Sequence, residues 1–263
     1  MESYFGIFPH YLCSVFGIHE IMALSRVDLV KKKITKAFHK AIASYHLLED
    51  GDKILVGLSG GKDSLLLLEL LAQQSRIHRP SFTVEAAHIR MRNVKYESDT
   101  SYLENFASKL GITLHVVTTE FNDSISTKKP VCFLCSWYRR KALFNLAQQL
   151  HCNKIALGHH QDDIVHTMLM NLFFQGQFNT MPASLQMNKM PVTIIRPMCL
   201  INEQDVIKYA TTVRYEKQIK TCPYETKSHR HDIRLIFEQI EKINPEARNS
   251  IWNALESLNL LTQ

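Results

Sequence analysis

The chain has 263 residues, 45% of them hydrophobic and 21% charged, with 31 Lys and Arg against 25 Asp and Glu. That apolar share is enough to bury a core, and with no repeat or low-complexity tract it excludes a disordered or fibrous chain. The formal charge of +6 and pI near 8.9 suit a polyanionic partner without establishing one, because many basic enzymes never touch nucleic acid.

Residues 4–24 are rich in apolar and aromatic side chains but are interrupted by Pro9, His10, His19 and Glu20. The longest clean piece, 11–18, is too short to cross a bilayer, and no cationic region precedes it as a secretory signal would require. Residues 1–27 are therefore read as an N-terminal extension and the protein as cytoplasmic, with no membrane partner. Residues 28–48 form an amphipathic pattern with Lys31, Lys32, Lys33, Lys36 and Lys40 on its polar side. Strand-like runs follow at 54–58, 83–89, 114–117, 154–157 and 192–196. Helix-like runs alternate with them at 64–74, 99–110, 139–150, 162–174 and 203–214, with Gly111 closing the second and Asn202 placed to cap the last. This alternation predicts an α/β fold, a doubly wound parallel sheet of about five strands covered on both faces. After Tyr215 the strand pattern stops, and 228–241 and 246–260, separated by Pro245, read as a helical tail. The expected organisation is 1–27, an α/β unit over 28–215, and a helical region over 216–263.

Between the first strand and helix lie Ser59, Gly60, Gly61, Lys62, Asp63 and Ser64, directly after Leu58. A strand entering a glycine bend and then a helix N-terminus points backbone N–H groups and the positive dipole end at one spot, where phosphate binds. Lys62 adds a positive charge, and Ser59 and Ser64 add hydroxyl donors. A Walker A loop is excluded, since its first glycine and the Ser or Thr after its lysine are replaced by Val56 and Asp63. A carboxylate in a phosphate site requires a bridging cation, so Asp63 predicts Mg²⁺. In doubly wound sheets the ligand lies beyond the carboxyl ends of the strands, where this loop falls.

Cysteine makes the second constellation: Cys13, Cys132, Cys135, Cys152, Cys199 and Cys222. In a cytoplasmic chain a Cys-x-x-Cys pair binds metal or does redox chemistry more often than it forms a disulfide. Cys132 and Cys135 precede the cationic run Arg139, Arg140 and Lys141. Cys222 lies in a turn-like segment, and the other cysteines read as small apolar residues. Three cysteines are too few for a closed Cys₄ zinc site and suit a [4Fe–4S] cluster with one iron not bound by cysteine.

Ser-Gly-Gly-Lys-Asp-Ser resembles the loop of the PP-loop ATP pyrophosphatases. With the cysteine pattern, the chain from about Asp28 to Leu258 resembles the tRNA 2-thiocytidine synthetase family within them. The other matching motifs are Gly158-His159-His160-Gln161-Asp162-Asp163, 171–176, Met181-Pro182 and Ile195-Arg196-Pro197. The resemblance implies an ATP-dependent tRNA sulfurtransferase using ATP, Mg²⁺ and a [4Fe–4S] cluster held by Cys132, Cys135 and Cys222. It places phosphates at 58–64 and adenine near Ala87, His88 and Ile89. Gly158 and Asp162 join the nucleotide site, Asp162 with Asp63 on Mg²⁺, and Arg139 bridges nucleotide and cluster. A first-turn Asp162 is also explained by the helix dipole alone. The expected partners are tRNA, a sulfur donor (a cysteine desulfurase or sulfide) and a second copy of the chain as a homodimer. Arg140, Lys141, Lys128, Lys129, Lys227, Arg230, Arg234 and the 31–40 lysines are read as contacts to RNA phosphates. One departure is Glu225, which stands where the family has the second cysteine of a second Cys-x-x-Cys pair. Three other readings stay open on the residues: a lysidine-synthetase-like ligase, a persulfide thiolase without a cluster, and a zinc-containing nucleotide- or RNA-binding module.

Overall fold

The computed structural model describes residues 12–92, 100–120, 131–188, 190–216 and 229–262, with side chains described from residue 27 onward. The helices are α1 (Leu12–Tyr45), α2 (Lys62–Ser75), α3 (Thr100–Leu110), α4 (Val131–Gln149), α5 (Gln161–Gln175), α6 (Glu203–Thr212), α7 (His229–Ile243) and α8 (Ala247–Ser257). The strands are β1 (Lys53–Gly57), β2 (Thr83–Met91), β3 (Leu114–Thr119), β4 (Lys154–Ala156), β5 (Ser184–Gln186) and β6 (Thr193–Ile195). They form one sheet in the order β3-β2-β1-β4-β6-β5, parallel throughout except for β5 against β6.

Strand β1 is central and buried on both faces, as a continuous apolar run requires. Ile54 and Val56 enter the main core with the leucines of α2. Leu55 enters a second core on the opposite face, with Ala87, Ile155 and the Leu143, Leu146, Ala147 stripe of α4. Chain order reverses between β1 and β4, which makes the crevice at their carboxyl ends the topological switch point.

Three elements differ from the pattern expected of them. The sheet has six strands, because β5 is only three residues long and too short to show an alternation. Helix α4 begins at Val131, just after Pro130, eight residues before the expected 139, so Cys132 and Cys135 lie in its first turns. Helix α1 runs on without a break from Leu12, and the expected boundary at residue 28 falls inside it. Its apolar face, Ile34, Phe38, Ala41 and Tyr45, is buried against the main core, as the amphipathic pattern predicts.

Candidate active site

Gly60 takes φ +81°, a left-handed conformation that glycine adopts without steric cost. This turns the chain from β1 into α2, and the two serines lock the turn. Ser64 Oγ accepts the Ser59 N–H at 3.1 Å and donates to the Gly61 carbonyl at 2.9 Å. Ser59 Oγ accepts the Gly61 N–H at 3.3 Å. The first backbone bond of α2 runs from Leu65 N–H to the Gly61 carbonyl at 3.1 Å. The amides of Lys62, Asp63 and Ser64 precede it and lie outside the helical ladder, as donors for an anion.

The loop between β4 and α5 packs directly on this turn. A Cβ on Gly158 would lie 3.0 Å from the Asp63 carbonyl carbon and oxygen and 3.1 Å from the Ser64 nitrogen. Gly158 therefore belongs to the phosphate loop through close approach, a contact only a glycine permits.

Helices α2, α5 and α6 all begin at this switch point, each bringing a carboxylate. Lys62 Nζ contacts both oxygens of Asp63, at 2.9 and 3.1 Å, and Glu203 Oε1 at 3.3 Å. Burial opposes the charge on Lys62, but Asp63 and Glu203 outweigh it and raise its pKa above the ordinary lysine value. Asp162 Oδ2 accepts the Glu203 N–H at 2.7 Å, and Asp162 Oδ1 meets Arg248 Nη1 at 2.6 Å. Burial works against this carboxylate too, yet Arg248 and the Glu203 amide hold its pKa below the usual range. Asp163 accepts the His160 N–H at 3.1 Å and pairs with Arg230 at 3.2 Å. The buried His160 lies between them, Nε2 3.8 Å from Asp63 and Nδ1 3.6 Å from Asp162. Among the described residues no group of three or more His, Cys, Asp and Glu side chains has metal-binding geometry. The donors beside the loop are carboxylate oxygens, the ligand type that Mg²⁺ takes in ones or twos, with phosphates and water completing its shell.

Beside the loop opens a cleft of about 150 Å³ lined by Leu58, Ser59, Ala87, His88, Ile89 and Arg139. His88 is buried, and its Nδ1–H donates to the Leu58 carbonyl at 2.7 Å. Burial, with Arg139 and Arg90 nearby, pushes its pKa down, so the ring is neutral. Arg139 lies on α4 about two turns beyond Cys132 and brings the cysteine-bearing helix to the nucleotide loop.

Cys132 is exposed, Cys135 half-buried, and neither is in a disulfide. Their i, i+3 spacing puts both sulfurs on one helical face, one turn apart. Cys135 packs against the buried Met91 of β2, as do Val131, Leu134 and Tyr138. The pair thus fits a shared metal centre. Cys222, Glu225, Lys128, Lys129 and Lys227 lie outside the described residues.

Two of the arginines expected on RNA are engaged within the protein, Arg230 by Asp163 and Arg234 by Glu203 and Glu238. Lys33 is likewise held by Asp205 at 2.6 Å. Lys32, Lys36, Lys40, Arg140 and Lys141 remain exposed. Sequence reasoning gave no role to Glu203, Arg248 or Arg196. Glu203 looked like an ordinary first-turn carboxylate, and Arg248 stands on a tail helix with no motif around it. Arg196 sits within the Ile195-Arg196-Pro197 motif, which was the available signal. It is buried, donates from Nη1 to the Pro182 carbonyl and from Nε to His159 Nδ1 at 3.2 Å. Burial first, and then Arg196, pushes His159 down to about 4, and burial lowers Arg196 to about 10.

A PP-loop domain family model matches residues 29–240. The tRNA-cytidine(32) 2-sulfurtransferase of Geotalea daltonii is 34% identical over 238 residues, covering 88% of this chain and 93% of that one. The chain belongs to this PP-loop family. A tRNA-cytidine(32) 2-sulfurtransferase 1 of Francisella tularensis is 31% identical over 235 residues, 88% of this chain and 87% of its own. Among solved structures, the U34-tRNA thiolase NcsA from Methanococcus maripaludis with its [4Fe-4S] cluster is 27% identical. It superposes with a TM-score of 0.72, over 88% of this chain and 79% of that one. The doubly wound sheet and the loop at its switch point are therefore those of the PP-loop family. Among the described residues no helix is long and apolar enough to cross a membrane.

Proposed function

We propose that this chain is an ATP-dependent tRNA sulfurtransferase that converts a cytidine in the anticodon loop to 2-thiocytidine. The observation that carries the reading is that Arg139, in the wall of the cleft beside the phosphate loop, stands on the same helix as Cys132 and Cys135. The phosphate loop, the His88 cleft and the Cys132–Cys135 turn of α4 are linked by Arg139. A ligase would use the first two and have no need of the third. Relatives named for cytidine are 34% and 31% identical, against 27% for the uridine thiolase, which favours cytidine.

In this reading the ATP phosphates lie on residues 58–64, against Lys62 and the first amides of α2. Asp63 and Asp162 would hold Mg²⁺, which would offset the charge of the phosphates, and Gly158 lets its loop pack on the Asp63–Ser64 backbone. The adenine enters the cleft at His88, whose bond to Leu58 keeps the wall in place. The carbonyl oxygen of the base attacks the α-phosphorus, pyrophosphate leaves, and the adenylated base carries AMP on that oxygen. Sulfur at the sulfide level, as HS⁻, then attacks the activated ring carbon with its lone pair. AMP departs with the original oxygen, and the sulfur's proton is lost to water to leave the thiocarbonyl. Lys62 and the helix N-termini stabilise the charge that develops on the phosphates. Arg139 positions the nucleotide toward the cysteine turn. Cys132, Cys135 and Cys222 would hold a [4Fe–4S] cluster, which when bound supplies an iron free of cysteine to carry sulfur.

The same reading assigns ATP binding to residues 28–215 and the third cysteine to the helical region 216–263, after an extension at 1–27. It takes the protein as a cytoplasmic homodimer served by a cysteine desulfurase or sulfide. Light scattering reads the assembly, and labelled cysteine with a desulfurase against sulfide alone separates the donors. The deciding experiment incubates anaerobically purified protein with ATP, a sulfur source and tRNA. Thiolated cytidine with matching AMP and pyrophosphate is expected; ADP in step with product would sink the proposal.

A further inference from the structure

Each carboxylate at the switch point has a cationic partner, but Glu203 divides itself between two. Its Oε1 lies 3.3 Å from Lys62 Nζ and its Oε2 3.5 Å from Arg234 Nη1 on α7. Lys62 is the first residue of α2, where the positive end of the helix dipole repels an ammonium group. Two carboxylates hold it there against that repulsion. Asp63 is the neighbour of Lys62 in the chain and stays beside it. Glu203 comes from another helix, α6, and reaches Lys62 only at Nζ, so its contact is one an incoming phosphate can take over. A polyphosphate on the loop would set its own negative charge against Glu203, with Lys62 between them. Arg234, 47% exposed in its side chain and only partly engaged by Glu238, is the cation to which Glu203 can then turn.

We propose that Glu203 is a positioning residue that stands in for phosphate on Lys62 in the ligand-free protein and passes to Arg234 when polyphosphate binds. This rests on the reading of residues 58–64 as the ATP phosphate site. Its consequence is a link between the phosphate loop and helix α7. Helix α7 starts at His229, seven residues after Cys222, so a firmer hold of Glu203 on Arg234 steadies the helix that follows the third cysteine. Phosphate occupancy and the anchoring of α7 through Arg234 become one equilibrium, and each favours the other.

The test is calorimetric titration of the full-length protein with inorganic pyrophosphate at low salt and a fixed free Mg²⁺ concentration. Glu203→Gln removes the competing charge and is expected to tighten binding about five-fold, the scale of a like-charge contact at a half-exposed site. Arg234→Gln leaves Glu203 on Lys62 alone and is expected to weaken binding about two- to three-fold. Both effects shrink as salt is raised. A role limited to fastening helices would move the two variants the same way, because each loses the same Glu203–Arg234 pair. Opposite signs support the proposal; equal signs, or no change in either, overturn it. Should Glu203→Gln melt too low to titrate, Glu203→Asp, whose shorter stem cannot reach both cations, is expected to tighten binding about two-fold. Unchanged or weaker binding by that variant counts against the proposal equally. Hydrogen exchange gives a second reading: pyrophosphate slows exchange in α7 of the wild type and not of Arg234→Gln. Wild-type protein that binds neither pyrophosphate nor ATP overturns the loop reading and this proposal with it. Normal wild-type binding without the opposite signs overturns this proposal alone.

Discussion

The phosphate end of the site and its cysteine end are built from different material. The loop at 58–64 rises from β1, whose central residues are fully buried, and is held by backbone bonds, serine hydroxyls and the close approach of Gly158. The cysteine turn sits at the start of α4 over a small apolar group centred on Met91, and beside it Phe133 and Trp137 are 43% and 44% exposed. Main-chain donors on a buried strand are in place before the ligand comes, as binding of phosphate demands. A centre that must admit a bulky RNA base and pass on a sulfur atom needs an open rim, and side chains contributed from separate segments. The contrast also predicts that the two ends fail independently.

The sharpest break should come from the cysteines. Changing Cys132, Cys135 or Cys222 to Ala is expected to abolish thiolation and iron binding while ATP affinity stays within about two-fold, since distant sites behave additively. Iron analysis, visible absorption and ATP titration on the same sample check this, and full iron with full activity in Cys222→Ala would remove it from the set. The converse break is Lys62→Ala, which should slow pyrophosphate release by about 10²–10³-fold, the scale for loss of one preorganised charge-stabilising group, with iron content intact. Asp63→Ala should act in the same direction and raise the Mg²⁺ concentration needed for turnover.

Gly158→Ala tests whether the phosphate end is rigid. Its Cβ would meet backbone atoms of Asp63 at 3.0 Å, and a cost of about 1–3 kcal/mol in urea unfolding is expected, with weaker ATP binding. Gly57→Ala should cost less, because its nearest obstacle is the movable Leu157 side chain at 3.1 Å. The smallest effect is on pH dependence. His88 and His159 are both held neutral by burial, with His159 lowered to about 4. Unfolded, each takes up a proton as pH falls below the ordinary histidine value, so stability is full above that value and declines below it. For His159 the decline levels off once pH is under the folded value of about 4. A loss of about 1 kcal/mol by pH 5.5 is expected from His159, read by denaturation at each pH, and a His159→Gln variant should lack that share.

Much of this comparison was legible in the sequence. The apolar run before Ser59 and the two glycines announced a strand, a turn and a helix N-terminus, since each is a short-range property of the chain. Asn202 was legible as a cap for the same reason, and its side chain does accept the Asp205 N–H at 2.8 Å. The start of α4 was misplaced because the cysteine turn has no alternation of its own and packs on Met91 of β2, a contact the local sequence does not show. Strand β5 exists because β6 offers it an edge. The ion pairs of Arg230 and Arg234 were not legible, because a count of cations does not reveal which carboxylates face them.

The sequence by itself determined the phosphate loop, the βα alternation that sets it at a sheet edge, and the Cys-x-x-Cys spacing; that the pair lies in the first turns of α4 did not follow from it. These depend on residues within a few positions of one another, where steric and hydrogen-bonding preferences act. Only the tertiary structure decided that three helix N-termini meet at one switch point, that Arg248 answers Asp162, and that Glu203 is shared between Lys62 and Arg234. Those pairs join residues from 31 to 141 positions apart. Charge attraction acts through space, so strand order, not chain spacing, selects the partners.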